Sequence, residues 1–311
     1  MPAEVFGEKY EFLPRPHILT FEEIERLTRL FADAGVSKLR ITGGEPLVRA
    51  NLPDLIKRLS GIDGIDDIAL TTNGYLLAKN ALALKEAGLD RLTISLDSID
   101  EDIFKQMSGR PQGPENTLEG IKVATDLGFS PIKINVVVQR GINDHTLVDT
   151  ARYFRGTGAI VRFIEFMDVG TKNGWELSQV VTSREVIEMI DNEFPLEPVE
   201  ANYRGEVANR YSYADGQGEI GVISSVSEPF CGNCTRARLS TDGKLVTCLF
   251  ASGGTDMKTA MRSGADDVKL AGIIAGIWGG RTDRYSELRS EDTEVKVGVD
   301  GDKVEMYYIG G

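Results

Sequence analysis

The stretch Lys38-Leu39-Arg40-Ile41-Thr42-Gly43-Gly44-Glu45-Pro46 reads as a short strand that runs straight into a glycine-rich turn. The same grammar repeats on either side. Upstream, Thr20 with Glu23 three residues on forms a capping box, and Phe21, Ile24, Leu27 and Leu30 recur at helical spacing until Gly35. Downstream, residues 65–72 read as a strand closed by Asn73-Gly74, residues 76–87 as a helix, and residues 91–96 as a strand ending in Asp97-Ser98. A helix near 115–127, a strand over 132–139, a helix near 145–154 that starts at His145, and a strand over 160–166 complete the series.

Short, largely apolar strands separated by helices predict an α/β fold with a parallel sheet covered on its outside, either a barrel or a doubly wound sheet. Polar or glycine-rich residues follow every strand: 43–45, 71–74, 95–98, 139–140 and 165–168. Sites at every strand end favour a barrel, since a doubly wound sheet gathers its contacts at one switch point. From residue 196 the pattern changes. Residues 203–213 and 219–226, rich in Gly, Tyr and Val, suggest short antiparallel strands or loops, and a last helix near 266–278 precedes a charged, exposed stretch. We expect two domains, 1–195 and 196–311.

The composition limits the function. The 311 residues carry a net charge of −13, which argues against coating nucleic acid, because that binding rests on Lys and Arg neutralising phosphates. Any polyanionic ligand then needs a local basic pocket. No apolar run approaches a membrane span, and the start MPAEVFGEKY lacks a basic region followed by an apolar one, so the expected location is the cytoplasm.

Three cysteines, Cys231, Cys234 and Cys248, cannot all pair with one another, and two share the motif Cys231-Gly232-Asn233-Cys234. They suit a metal or cluster site. A cubane iron–sulfur cluster held by three thiolates leaves one iron open; a structural zinc would need a fourth ligand, an Asp, Glu or His brought in by the fold. Arg236 and Arg238 alternate beside them, so both side chains share a face, either as a solvated edge or as a fork for phosphate. Arg40 and Lys133 fall inside apolar strand runs, where a charge is costly unless it faces an open lumen. Thr71, Ser95, Arg162 and Met167 lie at or near strand ends, with packing the plainer role for Met167. Glu165 and Asp168 read as solvated loop carboxylates or as an acid/base pair.

Together KLRITGGEPL, LTTNG, ISLDSID, KINVVVQRGIND, VRFIEFMDVG, FCGNCTRARLSTDGKLVTCLF and the terminal double glycine resemble, nearly end to end, the GTP 3′,8-cyclase family of radical S-adenosylmethionine (SAM) enzymes. The resemblance implies an incomplete barrel of six βα units plus a C-terminal region in which Cys231, Cys234 and Cys248 hold a [4Fe-4S] cluster whose open iron binds the purine of GTP. It implies GTP contacts from Arg40, Thr71, Lys133, Arg236 and Arg238, and SAM contacts from Gly43, Gly44, Glu45, Ser95 and Met167. Arg162 is expected in the same lumen as a catalytic residue, and Gly310 and Gly311 as a tail reaching the active site. The family converts GTP into (8S)-3′,8-cyclo-7,8-dihydroguanosine 5′-triphosphate during molybdenum cofactor biosynthesis. Its radical takes hydrogen from the ribose before ribose and guanine are rejoined. The resemblance also implies a reducing electron donor, a downstream cyclic pyranopterin monophosphate synthase and a homodimer as partners.

The sequence departs from the family at one end. A CxxxCxxC motif holds the family's second, SAM-cleaving cluster, and its third cysteine immediately precedes the segment that begins here with Met1-Pro2-Ala3-Glu4. The resemblance therefore implies a missing first strand, an unpaired edge at residues 38–42, and a chain that as written makes no 5′-deoxyadenosyl radical. A misassigned start or incomplete gene explains this best. The alternative is a non-catalytic purine-nucleotide-binding iron–sulfur protein; a radical SAM enzyme for another substrate is disfavoured by the arginines beside the cysteines.

Overall fold

The computed structural model describes residues 13–170, 173–203, 205–287 and 308. Five strands, β1 (Lys38–Ile41), β2 (Asp67–Thr72), β3 (Arg91–Ser95), β4 (Ile132–Val138) and β5 (Ile160–Glu165), run parallel in chain order. Helix α1 (Phe21–Asp33) precedes them; α2 (Leu52–Ser60), α3 (Leu77–Glu86), α4 (Glu101–Ser108), α5 (Glu115–Asp126) and α6 (Leu147–Phe154) form the crossovers, and α7 (Ser183–Asp191) follows β5. The sheet then runs on across residue 196. Strands β6 (Leu196–Val199) and β7 (Asn209–Tyr213) are antiparallel, while β8 (Glu219–Ile223) lies parallel to β5, giving the order β1-β2-β3-β4-β5-β8-β7-β6. Among the described residues β1 pairs with β2 alone.

Period-2 burial fixes the two faces. In β4 the residues Ile132, Ile134, Val136 and Val138 are buried, while Lys133, Asn135 and Val137 between them are half-buried. The apolar face, with Ile68, Leu70, Leu92, Ile94, Val161 and Phe163, packs under the helices as the main core. The other face carries the polar side chains.

The C-terminal region docks on α1. A small sheet of β9 (Arg238–Leu239), β10 (Lys244–Val246) and β11 (Thr255–Asp256) leads to α8 (Met257–Arg262) and α9 (Asp267–Gly279). Leu245, Met257, Met261, Leu270 and Ile274 form a second core with Leu19, Leu27 and Leu30. Arg262 reinforces it, donating to the Ile18 carbonyl at 3.0 Å and pairing with Glu23 at 2.7 Å, the same Glu23 that closes the capping box with Thr20. In the stretch after α9, Thr282 and Arg284 are exposed as expected, whereas Arg281 has only 11% of its side chain accessible.

Candidate functional site

Arg40 on β1 donates to Thr71 Oγ1 at 2.9 Å and to Thr93 Oγ1 at 3.0 Å, and Arg162 on β5 reaches the same Thr93 hydroxyl at 3.5 Å. Strands four steps apart lie about 19 Å apart in a flat sheet, so two side chains meeting on one hydroxyl of β3 require the polar face to curl. Arg162 also donates to Asn135 Oδ1 at 2.9 Å. Lys133, beside Thr93 in the β3–β4 register, completes this layer.

Acidic groups lie near these cations without pairing with them, Asp67 towards Arg40 and Glu206 towards Lys133 and Arg162. Among the described residues Arg40, Lys133, Arg162 and Arg238 form no ion pair. Burial, with the nearby charges of Arg162, Arg91 and Arg40, pulls the Lys133 ammonium down to about 8. Burial and Arg40 bring Arg162 to about 10, and burial and Arg236 do the same for Arg238. Arg40 opens to solvent at the floor of the concavity but is ringed by protein, and this desolvation lowers its guanidinium, as do the charges of Arg91 and Arg236. The influence of Arg236 on Arg40 ties the barrel face to the cysteine region.

The cysteines lie on two segments of the C-terminal region. Cys231 opens a single 3₁₀ turn, Cys234 closes it, and Cys248 follows β10; all three are free and half-buried. Burial alone would raise the Cys234 thiol, but Arg236 and Arg281 together hold it below its ordinary value. Burial pushes Cys248 up, and the charge of Asp283 adds to that. Arg236 stands over the Phe230 ring, 5.3 Å from its centre. Among the described residues no three His, Cys, Asp or Glu side chains close around a point that could hold one metal ion.

The turn after β1 is shaped by Gly43, whose φ of +145° a side chain would strain. Glu45 does not face outward. Its carboxylate accepts from Thr72 Oγ1 at 2.7 Å, Asn73 N at 2.8 Å and Leu47 N at 3.0 Å, pinning the turn to the end of β2. Beside it Ser95, Asn73 and Asp97 line a recess of about 90 Å³, and burial pushes the Asp97 carboxyl up.

The sequence matches the Radical SAM superfamily over residues 6–154 and Molybdenum Cofactor Synthesis C over residues 159–287. It is 50% identical over 311 residues to a GTP 3′,8-cyclase of Xanthomonas campestris pv. campestris (strain B100), covering all of this chain and 89% of that protein. A GTP 3′,8-cyclase of Acidothermus cellulolyticus is 46% identical over 332 residues, with 100% and 91% covered. The chain belongs to the GTP 3′,8-cyclase family. A solved structure described as native anSMEcpe with bound AdoMet and Cp18Cys peptide shares the fold at a TM-score of 0.51 and 13% identity, over 83% of this chain and 74% of that one.

Of the residues the family pattern names, Arg40, Thr71, Lys133 and Arg162 come together on the polar face of the sheet, and Arg238 lies near Arg236 and Cys234, with the charge of Arg236 reaching Arg40. Gly43, Gly44, Glu45 and Ser95 stand at strand ends of the same sheet, and Met167 packs against Ile164, Ala208 and Ile223. Gly310 and Gly311 lie outside the described residues. Two carboxylates correct the sequence reading. Glu165 is buried, 2% exposed, and accepts from the amides of Ser183, Val226 and Ser227 at 2.7–2.8 Å; Asp168 accepts from the Tyr285 hydroxyl at 2.7 Å. Neither is a solvated loop group, and Glu165 is spent on the amides of Ser183, Val226 and Ser227. Sequence reasoning passed over Thr93, Asn135 and Arg281. The alternation Lys133, Asn135 within β4 was the signal available for Asn135.

Proposed function

We propose that this chain binds GTP for the 3′,8-cyclase reaction of molybdenum cofactor biosynthesis, with the triphosphate on Arg40, Thr71, Lys133, Arg236 and Arg238 and the purine toward the three-thiol site. The carrying observation is the set of cations without carboxylate partners among the described residues, on one curved face of a chain whose net charge is −13. A polyanion is the ligand such a face lacks, and guanidinium forks match phosphate oxygens. Arg162, anchored by Asn135 at 2.9 Å, holds a fixed charge in the lumen near the reacting sugar.

The donor set at Cys231, Cys234 and Cys248 fits a [4Fe-4S] cluster. Thiolates are its usual ligands, and each thiol meets a different iron. A tetrahedral structural zinc needs four ligands, and the cysteines supply three. When bound, the cluster would offer an open iron to the purine. SAM is assigned to the strand ends at Gly43, Gly44, Glu45, Ser95 and Met167, where the pinned turn presents its backbone. The 311 residues hold no cysteine beyond these three, so they supply no thiolate for a SAM-cleaving cluster. A reducing electron donor, a homodimer, the downstream synthase, a cytoplasmic location and a division of labour near residue 195 belong to the same reading.

Equilibrium dialysis of GTP against the reconstituted chain, with ATP as comparator, tests the assignment. GTP should bind in preference to ATP, and Arg238→Ala should weaken it at least tenfold, about 1.4 kcal/mol. Absent binding, or equal affinity for both nucleotides, overturns it.

A further inference from the structure

The three cysteines lie on two segments, and the ladder that joins these segments stops before reaching any thiol. Strands β9 and β10 end their pairing at Arg238–Val246, four residues short of Cys234 and two short of Cys248. Arg281 takes over where the ladder stops. Its guanidinium donates to the carbonyls of Cys234 at 2.9 Å and Arg236 at 3.2 Å on one segment, and to the Thr247 carbonyl at 2.9 Å on the other. Its third arm is held by Asp283 at 3.0 Å, and the group stands over the Trp278 ring, 5.0 Å from the centre.

We propose that Arg281 is a positioning residue for the three-thiol site, fixing the separation of Cys234 and Cys248, within a clasp formed by residues 278–287. This rests on the reading of those cysteines as cluster ligands. The Cys234 carbonyl belongs to the residue that bears one thiol, and the Thr247 carbonyl is bonded to the nitrogen of the residue that bears another. A planar fork with five N–H donors can hold both carbonyls at once, whereas an ammonium is a single point of attachment. The same clasp reaches the rest of the site. Glu287 accepts from the Gly232 amide at 2.8 Å, between Cys231 and Cys234. Tyr285 stacks on Phe250 at 4.6 Å, two residues past Cys248, and its hydroxyl bonds to Asp168 beside Met167. One segment thus touches both cysteine loops and the barrel strand end they must face.

The test uses the 311-residue chain, in which any thiolate-held cluster reports on this site alone. Wild type, Arg281→Ala and Arg281→Lys are reconstituted anaerobically with ferrous iron and sulfide, then followed for iron per chain, the visible cluster absorbance and the rate of iron loss to a chelator. Alkylation rates of the metal-free thiols and thermal melts are read in parallel. The wild type should hold about four irons, as expected for one cubane. Both variants should lose iron at least tenfold faster, Arg281→Lys with a melt close to wild type, and their free thiols should alkylate faster. A wild type that takes up no cluster refutes the ligand reading. A wild type that does, with Arg281→Lys releasing iron within twofold of it, overturns the role of Arg281; if Arg281→Ala does not fold, Arg281→Lys decides, and if that too is unfolded the residue is a fold determinant and the positioning role is rejected.

Discussion

Replacing Glu165 by Gln should destabilise the protein by about 3 kcal/mol, because two buried amides would face an NH₂ in place of an oxygen. The carboxylate sits where three segments meet. One oxygen accepts from Ser183 N at 2.8 Å and Ser227 Oγ at 2.5 Å, the other from Val226 N at 2.7 Å and Ser227 N at 2.8 Å. Gln keeps the first oxygen and loses the second, and each buried donor left without an acceptor costs about 1–3 kcal/mol. Loss of the negative charge at the first residue of α7 adds about 0.5 kcal/mol through the helix dipole. Glu165→Ala removes all four acceptor contacts and should cost about 5 kcal/mol on the same scale. With an unfolding entropy of about 2.1 cal/mol/K per residue over 311 residues, these are drops in Tm of about 5 and 8 °C. Thermal melts of the metal-free chain by circular dichroism read them directly. Adding Ser227→Ala to Glu165→Ala should change little further, since the hydroxyl has already lost its acceptor. A Gln variant melting within about 1 °C of wild type would refute the claim that both carboxylate oxygens hold these donors.

Lys133→Met should raise Tm while weakening triphosphate binding about tenfold, because it removes a partly desolvated charge repelled by Arg162, Arg91 and Arg40; a fall in Tm on melting would contradict it. Affinity for GTP should decline by up to tenfold per pH unit above about 8, as the free Lys133 ammonium must regain its proton to bind, and Lys133→Met should flatten that slope in dialysis. Stability of the unliganded chain has the opposite sign. The folded value of about 8 lies below the ordinary 10.5, so unfolding takes up a proton between them and stability gains as pH rises through that window. Gly74→Ala should cost about 1–3 kcal/mol, since φ is +75° and a Cβ would meet Thr117 Cγ2 at 2.8 Å, and chemical denaturation should register the loss.

Period and cost arguments recovered much of the fold. The capping box at Thr20 and the parallel strands followed from local patterns, and the cost of a charge within an apolar run picked out Arg40 and Lys133, both of which stand on the open face. Glu165 was misread by its place at a strand end. Parity alone would have corrected it, because Val161, Phe163 and Glu165 share the helix-packed face while Arg162 and Ile164 share the other. Arg281 was beyond such reasoning. Its surroundings in sequence are charged, and nothing local announces that three carbonyls from residues 234, 236 and 247 converge on it.

The concave face is built at a cost that its proposed ligand would remove. Burial first, and neighbouring arginines after it, lower Arg40, Lys133, Arg162 and Arg238, so each is held where its charge is disfavoured. Neutral partners, the hydroxyls of Thr71 and Thr93 and the amide of Asn135, fix the directions of Arg40 and Arg162 without cancelling charge. A carboxylate in their place would stabilise the free protein and compete with phosphate. Orientation by neutral groups leaves the electrostatic attraction unspent until a polyanion arrives, and that choice lets a chain with a net charge of −13 hold one at all.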